Sequence, residues 1–311
     1  MLTIVIARYK EEVAWLNDLP ADCRVYLYNK GPEIAPGTLR PDIVVHALPN
    51  TGREAQTYLH HLRRHFKADE SEFTVFAQAD PFEHAPGFLD LLELAAHWRD
   101  VQPLSLHWIA SKNIPPRHLV AMDRRDWLCG VPIRSEYISL HTLAPVAFYD
   151  MGGWGLYNSY RLDHNLGTGH KALEHFFGLC GLHWLAEQAR DADIGAFAWG
   201  AIFAVRNSRI TAFLERARPQ LERMEVLASV STNYACMFER TWLLLFGEPM
   251  VRFPALRSEA ATDAPQEVTE PFNEMVLDAS VKAELATLRR RQSDVELWDP
   301  MQTLHTIRYP G

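Results

Sequence analysis

Leu2-Thr3-Ile4-Val5-Ile6-Ala7, followed at once by Arg8-Tyr9-Lys10-Glu11-Glu12, is the stretch whose reading decides the fold. An uncharged run rich in β-branched residues is what a strand covered on both faces requires, as at the centre of a parallel sheet. The abrupt polar cluster marks where that strand ends. Three later runs repeat the pattern. Residues 24–28 end in Asn29-Lys30-Gly31-Pro32, residues 42–48 in Pro49-Asn50-Thr51-Gly52-Arg53-Glu54, and residues 73–77 in Gln78-Ala79-Asp80-Pro81-Phe82. Helical spacing separates them. Val13, Trp15 and Leu16 suit a short helix; Ala55, Tyr58, Leu59, Leu62 and Phe66 line one face of a longer one. Phe88, Leu91, Leu92 and Ala95 do the same over 86–98.

Strand and helix in alternation imply βαβ units and an α/β fold with a mostly parallel sheet flanked by helices. Such sheets bind ligands beyond the carboxyl ends of their strands. The clusters at Arg8–Glu12, Asn29–Lys30, Asn50–Glu54 and Gln78–Asp80 all fall at that end, so the site is expected there.

The second half is less regular. Pro115, Pro116, Pro132 and Pro145, with Gly152-Gly153-Trp154-Gly155, predict loops and short elements over 101–197, with one helix within 164–188. Residues 199–205 read as a strand, 210–227 as an amphipathic helix and 234–246 as a buried helix. Residues 1–255 are expected to form one domain, with a nucleotide-binding half (1–100) and an acceptor half (101–255). Residues 256–311 read as a linker, a helix over 273–291 and a tail, forming a helical C-terminal extension that leaves the oligomeric state open.

Composition narrows the function. The 311 residues are 48% hydrophobic and 23% charged, ordinary for a globular chain able to bury a sizeable core. A net charge of −8 argues against a nucleic-acid partner, which needs a basic surface. Cys23, Cys129, Cys180 and Cys236 lie far apart with no CxxC pair, as expected of reduced thiols in the cytoplasm. No apolar run is long enough to span a bilayer, and no export signal is visible. GxSxG, GxGxxG and the phosphate-loop lysine motif are absent.

Each polar cluster has a chemical reading and a structural one. Asn50-Thr51-Gly52-Arg53-Glu54 opens a helix. Its free N–H groups, close backbone approach at Gly52 and the Arg53 guanidinium suit a diphosphate, while Thr51 and Glu54 alone also fit a capping box. Asp80, with Gln78, is a candidate ligand for a divalent cation, or simply starts a turn. Arg8 and Glu11 suit a phosphate and a ribose, or form a surface ion pair; Asn29 and Lys30 are open to the same two readings. His84 is a candidate site histidine or a hydrogen-bonded structural one. Glu239 and Arg240 place charge inside an apolar helix, so Glu239 is either a general base or half of an ion pair.

In this order the segments resemble a family known as a domain of unknown function in fungi and bacteria. They are Ala7-Arg8-Tyr9-Lys10-Glu11, Tyr28-Asn29-Lys30-Gly31, Leu48–Ala55, Val75–Phe82 with His84, Gly200–Val205, and Phe238-Glu239-Arg240 with Trp242 and Phe246. That family looks like a divergent relative of the GT-A glycosyltransferases, which move a sugar from a nucleotide-sugar to an acceptor. Asn50–Glu54 resembles the NxGRD element of rhamnan-type sugar transferases. Gln78-Ala79-Asp80 stands where GT-A enzymes carry Asp-x-Asp, with glutamine in place of the first acid. The resemblance implies a GT-A-like fold, a nucleotide-sugar donor and an acceptor hydroxyl. Arg8, Lys30 and Arg53 would face the diphosphate, with Glu11, Asn29, Asn50, Gly52, Glu54 and Gln78 around the donor. Asp80 would hold Mn2+ or Mg2+, unless the Gln78 replacement marks a metal-independent enzyme. Trp199, Gly200 and His84 would lie on the acceptor side, and Glu239 or Asp80 would act as base. The alternative is a non-catalytic GT-A-like protein that binds a nucleotide or glycan.

Overall fold

The opening run becomes strand β1 (Leu2–Arg8), and the three similar runs become β2 (Arg24–Asn29), β3 (Val44–Ala47) and β4 (Phe73–Gln78). These come from a computed structural model that describes residues 1–105, 125–129, 131–134, 136–145, 150–167 and 169–252. β1 pairs in parallel with β2 on one side and β4 on the other, and β3 pairs in parallel with β2. A 3-10 turn, Ala14–Asp18, follows β1; helix α1 (Arg53–Arg64) follows β3; helix α2 (Phe88–Glu93) follows β4. The helix expected over 86–98 is shorter than its pattern. The N–H groups of Leu94, His97 and Trp98 each reach back three residues, which tightens the chain out of α-helical geometry.

Next come β5 (Val101–Pro103), a hairpin of β6 (Arg125–Leu128) and β7 (Val131–Arg134), and β8 (Glu136–Ser139). Helices α3 (Met151–Asp163), α4 (Ala172–Leu179) and α5 (His183–Asp191) precede β9 (Ile194–Phe197), which pairs antiparallel with β8. β10 (Phe203–Arg206) enters the main sheet antiparallel between β4 and β5, giving the order β3-β2-β1-β4-β10-β5. Helices α6 (Asn207–Ala217), α7 (Leu221–Val230), α8 (Thr232–Glu239) and α9 (Trp242–Leu245) follow. The chain is thus α/β, with a mostly parallel six-stranded sheet flanked by helices.

Several second-half boundaries differ from the sequence pattern. Gly152-Gly153-Trp154-Gly155, expected in a loop, lies inside α3, because the Asp150 carboxylate caps that helix by accepting from the Gly152 N–H at 2.9 Å. The helix expected within 164–188 is two, broken where Gly181 takes φ +79°. The run 210–227 breaks at Arg218–Gln220, where Pro219 has no N–H to continue a helix. The run 234–246 breaks between Glu239 and Trp242. Trp199–Ala201 is a 3-10 turn, so the strand begins at Phe203. The segments expected over 256–311 lie outside the described residues.

The inner strands of the sheet are covered on both faces, as their apolar runs require, while edge strand β3 leaves Val44 and Val45 exposed. Val5, Tyr28, Phe76 and Phe203 pack under α1 and α6–α9, and Ile4, Ile6, Leu27 and Val75 pack against Leu16, Phe88 and Leu91. Phe76 and Phe203 are fully buried with ring centroids 5.1 Å apart; burial of each stabilises by about 2–3 kcal/mol. Two cores hold the strands in register and so fix the positions of their ends. Among the described residues no helix is long and apolar enough to cross a membrane.

Candidate functional site

Register sets the first row of the site. Arg8 pairs with Asn29, and Ala7 with Gln78, so three polar residues line up at the carboxyl ends of adjacent parallel strands. The Lys30 N–H donates to the Arg8 carbonyl (2.8 Å) and the Ala79 N–H to the Ala7 carbonyl (2.9 Å), which carries the order into the loops. Arg8 is largely buried. Its guanidinium donates to Asn29 Oδ1 (2.6 Å), the Pro32 carbonyl (2.9 Å) and the Glu11 carbonyl (2.9 Å). The Glu11 carboxylate turns back to accept from the N–H groups of Tyr9 (2.7 Å) and Lys10 (3.0 Å). Arg8, Glu11 and Asn29 therefore brace one another's loops, and Arg8 and Glu11 do not form the surface ion pair that was the structural alternative.

Lys30 also acts from behind. Only 8% exposed, it donates through Nζ to the carbonyls of Thr51 (2.7 Å) and Arg53, tying the loop after β2 to the start of α1. Burial draws its pKa down to about 8, an effect that Glu54 and Glu225 partly offset. The capping box is not formed. Gly52 occupies the cap of α1 at φ +63°, with no side-chain cap bond. A Cβ there would stand 2.7 Å from the Ala228 carbonyl oxygen on α7, so the space that the bare glycine leaves is filled by protein. Asn50 is exposed. Arg53, itself left-handed at φ +49°, is half exposed and is the guanidinium at this end that faces solvent. Its Nε lies 3.6 Å from Glu54 Oε2 and its Nη1 4.0 Å from Cys236 Sγ.

That last contact joins the two halves of the chain. Cys236 and Glu239 are one turn apart on α8, and Glu239 acts electrostatically on Arg53, Glu54 and Tyr58. Glu54 is 5% exposed, its Oε1 has no hydrogen-bond partner, and burial, then Glu239, push its pKa up to about 7.

The antiparallel entry of β10 explains the acceptor-side residues. Phe203 pairs with Phe76, so the turn just before β10 lies at the carboxyl end of β4. Gln78 Nε2 donates to the Gly200 carbonyl (2.9 Å), and the Tyr58 hydroxyl donates to that of Ala201 (3.2 Å). Gly200 takes φ +64°, and a Cβ there would stand 2.7 Å from His84 Cδ2. The His84 and Trp199 rings meet edge to face at 6.4 Å. The Arg240 guanidinium lies 4.5 Å from the Phe197 ring centroid and 5.1 Å from that of Trp199, and Nη2 donates to Asp150 Oδ2 at 2.7 Å. Gln78, His84, Trp199 and Gly200 thus form one cluster. Asp80 stands exposed beside it, accepting from the Phe82 N–H at 3.3 Å. Among the described residues no three His, Cys, Asp or Glu side chains are placed to hold a metal.

Sequence reasoning missed Tyr58 as a clamp, Asp150 as the partner of Arg240, and Cys236. The charges inside an apolar helix were the available signal for Arg240, but its pairing with Asp150 rather than Glu239 depends on how α8 packs. One described cavity, of about 470 Å3, borders this region through Asn29, with Ile34, Leu39 and Val45 among its walls.

A second polar cluster lies between β2, β3 and α1. The Tyr28 hydroxyl and His61 Nδ1 are 3.0 Å apart, and the His46 and His65 rings are 4.5 Å apart. Burial first, then the neighbouring histidines, lower the pKa of His61 to about 3 and also lower those of His46 and His65. Glu225 on α7 accepts from Gln56 (3.1 Å) and Arg63 (2.6 Å) and lies 2.9 Å from His60 Nδ1, which locks α1 to α7.

A scan of protein-family models finds no match to this sequence, and a search of curated proteins finds none either.

Proposed function

We propose that the chain is a glycosyltransferase-like enzyme that moves a sugar from a nucleotide-sugar to an acceptor hydroxyl, on a GT-A-like fold within the family that its motifs resemble. One observation carries the reading. The solvent-facing Arg53 guanidinium, 4.0 Å from Cys236 Sγ and so beside the helix turn that carries Glu239, stands at the carboxyl end of a parallel sheet, where such sheets bind ligands. Sugar transfer with inversion needs such a cation and such a carboxylate. The acceptor O–H gives its proton to Glu239, and the freed oxygen bonds to the anomeric carbon. The bond from that carbon to the diphosphate oxygen breaks, and the electron pair leaves with the diphosphate, stabilised by Arg53 and the amino end of α1. Arg8 and Lys30 hold the loops that aim these groups. Trp199 and His84 offer a ring surface for the acceptor sugar.

The donor set at the end of β4 is a poor fit to Mn2+ or Mg2+. Among the described residues no three metal-ligating side chains gather there, Asp80 is the carboxylate at that strand end, and the Gln78 amide already donates to Gly200. We therefore favour the metal-independent version. The same observation favours a second reading, a non-catalytic protein that binds a nucleotide or glycan. Thermal unfolding with nucleoside diphosphates and nucleotide-sugars, with and without manganese, separates the two. A glycosyltransferase is stabilised by at least one nucleoside diphosphate and hydrolyses a donor slowly; stabilisation without turnover favours the binding protein. If no nucleoside diphosphate stabilises the chain, both nucleotide readings fail.

A further inference from the structure

A second cleft opens at the other end of the sheet from Arg53. Arg209, on the first turn of α6, holds Asp100 through Nε at 3.1 Å. Asp100 directly precedes β5, and Arg206, the last residue of β10, pairs with Phe73 at the start of β4. Arg209 therefore stands at the amino end of the parallel strands. From there a cleft of about 270 Å3 runs between α5, α6 and the loop after α9. Arg209, Phe213 and Arg216 recur at helical spacing and so share the face of α6 that lines it. Two turns of helix set the backbones of the two arginines about 10 Å apart along the axis. Leu185 and Leu244, both buried, wall the middle.

The two ends carry opposite charge. At one, the Arg216 guanidinium lies over the Trp184 ring, 4.4 Å from its centroid, a stack that holds its fork in place. At the other, half-buried Glu248 follows Gly247, where a Cβ would stand 3.6 Å from Arg209 Nη1. Arg209 is already matched by Asp100. Among the described residues neither Arg216 nor Glu248 forms an ion pair. Burial raises the Glu248 pKa, and Arg99 and Arg209 offset that only in part.

We propose that this cleft is a second binding site, for a small molecule with an ammonium group at one end, a carboxylate at the other and an apolar middle, the chemistry of a dipeptide of apolar residues. Its carboxylate takes the fork of Arg216 donors, its ammonium donates to Glu248, and its side chains lie on Leu185, Phe213 and Leu244. An extended dipeptide spans about 7 Å, and the long Arg216 and Glu248 side chains close the remaining distance. A free amino acid carries both charges on one carbon and reaches only one end. The cleft is a little smaller than the roughly 300–1,000 Å3 of drug-sized sites, which keeps the occupant short. The site is independent of the sugar-transfer reading.

Isothermal calorimetry of the full chain with the dipeptide Leu-Leu tests it. Saturable binding at millimolar concentration or below is expected. N-acetyl-Leu-Leu lacks the ammonium and Leu-Leu amide lacks the carboxylate; each should bind about tenfold more weakly or worse, the loss of one charge-assisted hydrogen bond. Arg216→Gln should weaken Leu-Leu and no longer distinguish it from its amide. Glu248→Gln should weaken it and no longer distinguish it from the acetylated form. The blocked peptides act on the unaltered protein, so a variant that fails to fold does not remove the test. No saturable binding, equal binding of blocked and unblocked peptides, or free leucine binding as tightly as Leu-Leu overturns the proposal. So does loss of binding in Arg53→Gln with Arg216→Gln unaffected, which would put the peptide at the opposite end of the sheet.

Discussion

Replacing His61 with phenylalanine should reverse the stability ranking of variant and wild type between pH 7.5 and pH 4.5. His61 is 1% exposed, its Nε2 has no partner, and its Nδ1 lies 3.0 Å from the Tyr28 hydroxyl. The unfolded chain protonates this ring near pH 6.5, the folded chain near pH 3. Between those values protons favour the unfolded state, so the stability His61 contributes is complete above 6.5 and is lost as the pH falls. At about 1.4 kcal/mol per pH unit, two units below 6.5 cost the wild type about 3 kcal/mol. Phenylalanine keeps the ring and cannot titrate, but it leaves the Tyr28 hydroxyl unpaired, at about 1–2 kcal/mol. The variant should therefore be less stable by about 1–2 kcal/mol at pH 7.5 and more stable by a similar amount at pH 4.5. His46, His65 and every carboxylate titrate in both proteins and drop out of the difference. Urea unfolding followed by tryptophan fluorescence at both pH values, at constant ionic strength, measures it. A difference between variant and wild type that does not change with pH would refute the reasoning.

Three further outcomes follow from the same physics. Glu54→Gln acts in the opposite sense. A carboxyl raised to about 7 gives stability that is complete below its unfolded value of 4.5 and lost as pH rises through 7, so the variant should gain up to about 3 kcal/mol over wild type at pH 8 and nothing at pH 4 in urea unfolding. Gly52→Ala forces a Cβ against the Ala228 carbonyl at positive φ. It should destabilise by about 2–4 kcal/mol in the same assay; a loss under about 0.5 kcal/mol would show that α7 does not set the glycine requirement. Asp150→Ala strips both the α3 cap and the partner of buried Arg240. A cost of about 3–5 kcal/mol is expected, and Asp150→Ala combined with Arg240→Met should recover part of it, by thermal or urea unfolding.

The amino-terminal half was legible because its signals are local. An uncharged β-branched run can satisfy its burial only inside a sheet, and a polar turn after each run can lie only at the strand's end. Strands β1 to β4, helix α1 and the row Arg8, Asn29 and Gln78 followed from that. The second half was less legible because its breaks depend on single residues whose weight is set by context: Pro219 ends a helix, whereas three glycines sit inside one once Asp150 caps it.

What the sequence determined alone, then, is the α/β class, the polar end of the sheet and the residue types gathered there. What tertiary structure decided is which of those residues face outward. Arg8, Lys30 and Arg53 are equivalent as strand-end cations, yet two are spent on carbonyls within the loops and only Arg53 is presented to solvent. Glu54 and Glu239 stand 185 positions apart, and no spacing relates them. The helices that carry them are joined where Arg53 on the first turn of α1 reaches Cys236 on α8, just as Trp199 and Gly200 reach Gln78 because β10 enters the sheet antiparallel. Hydrogen-bond commitment and burial are properties of neighbours in space, so a one-dimensional pattern can nominate site residues but cannot assign their charge states or their partners.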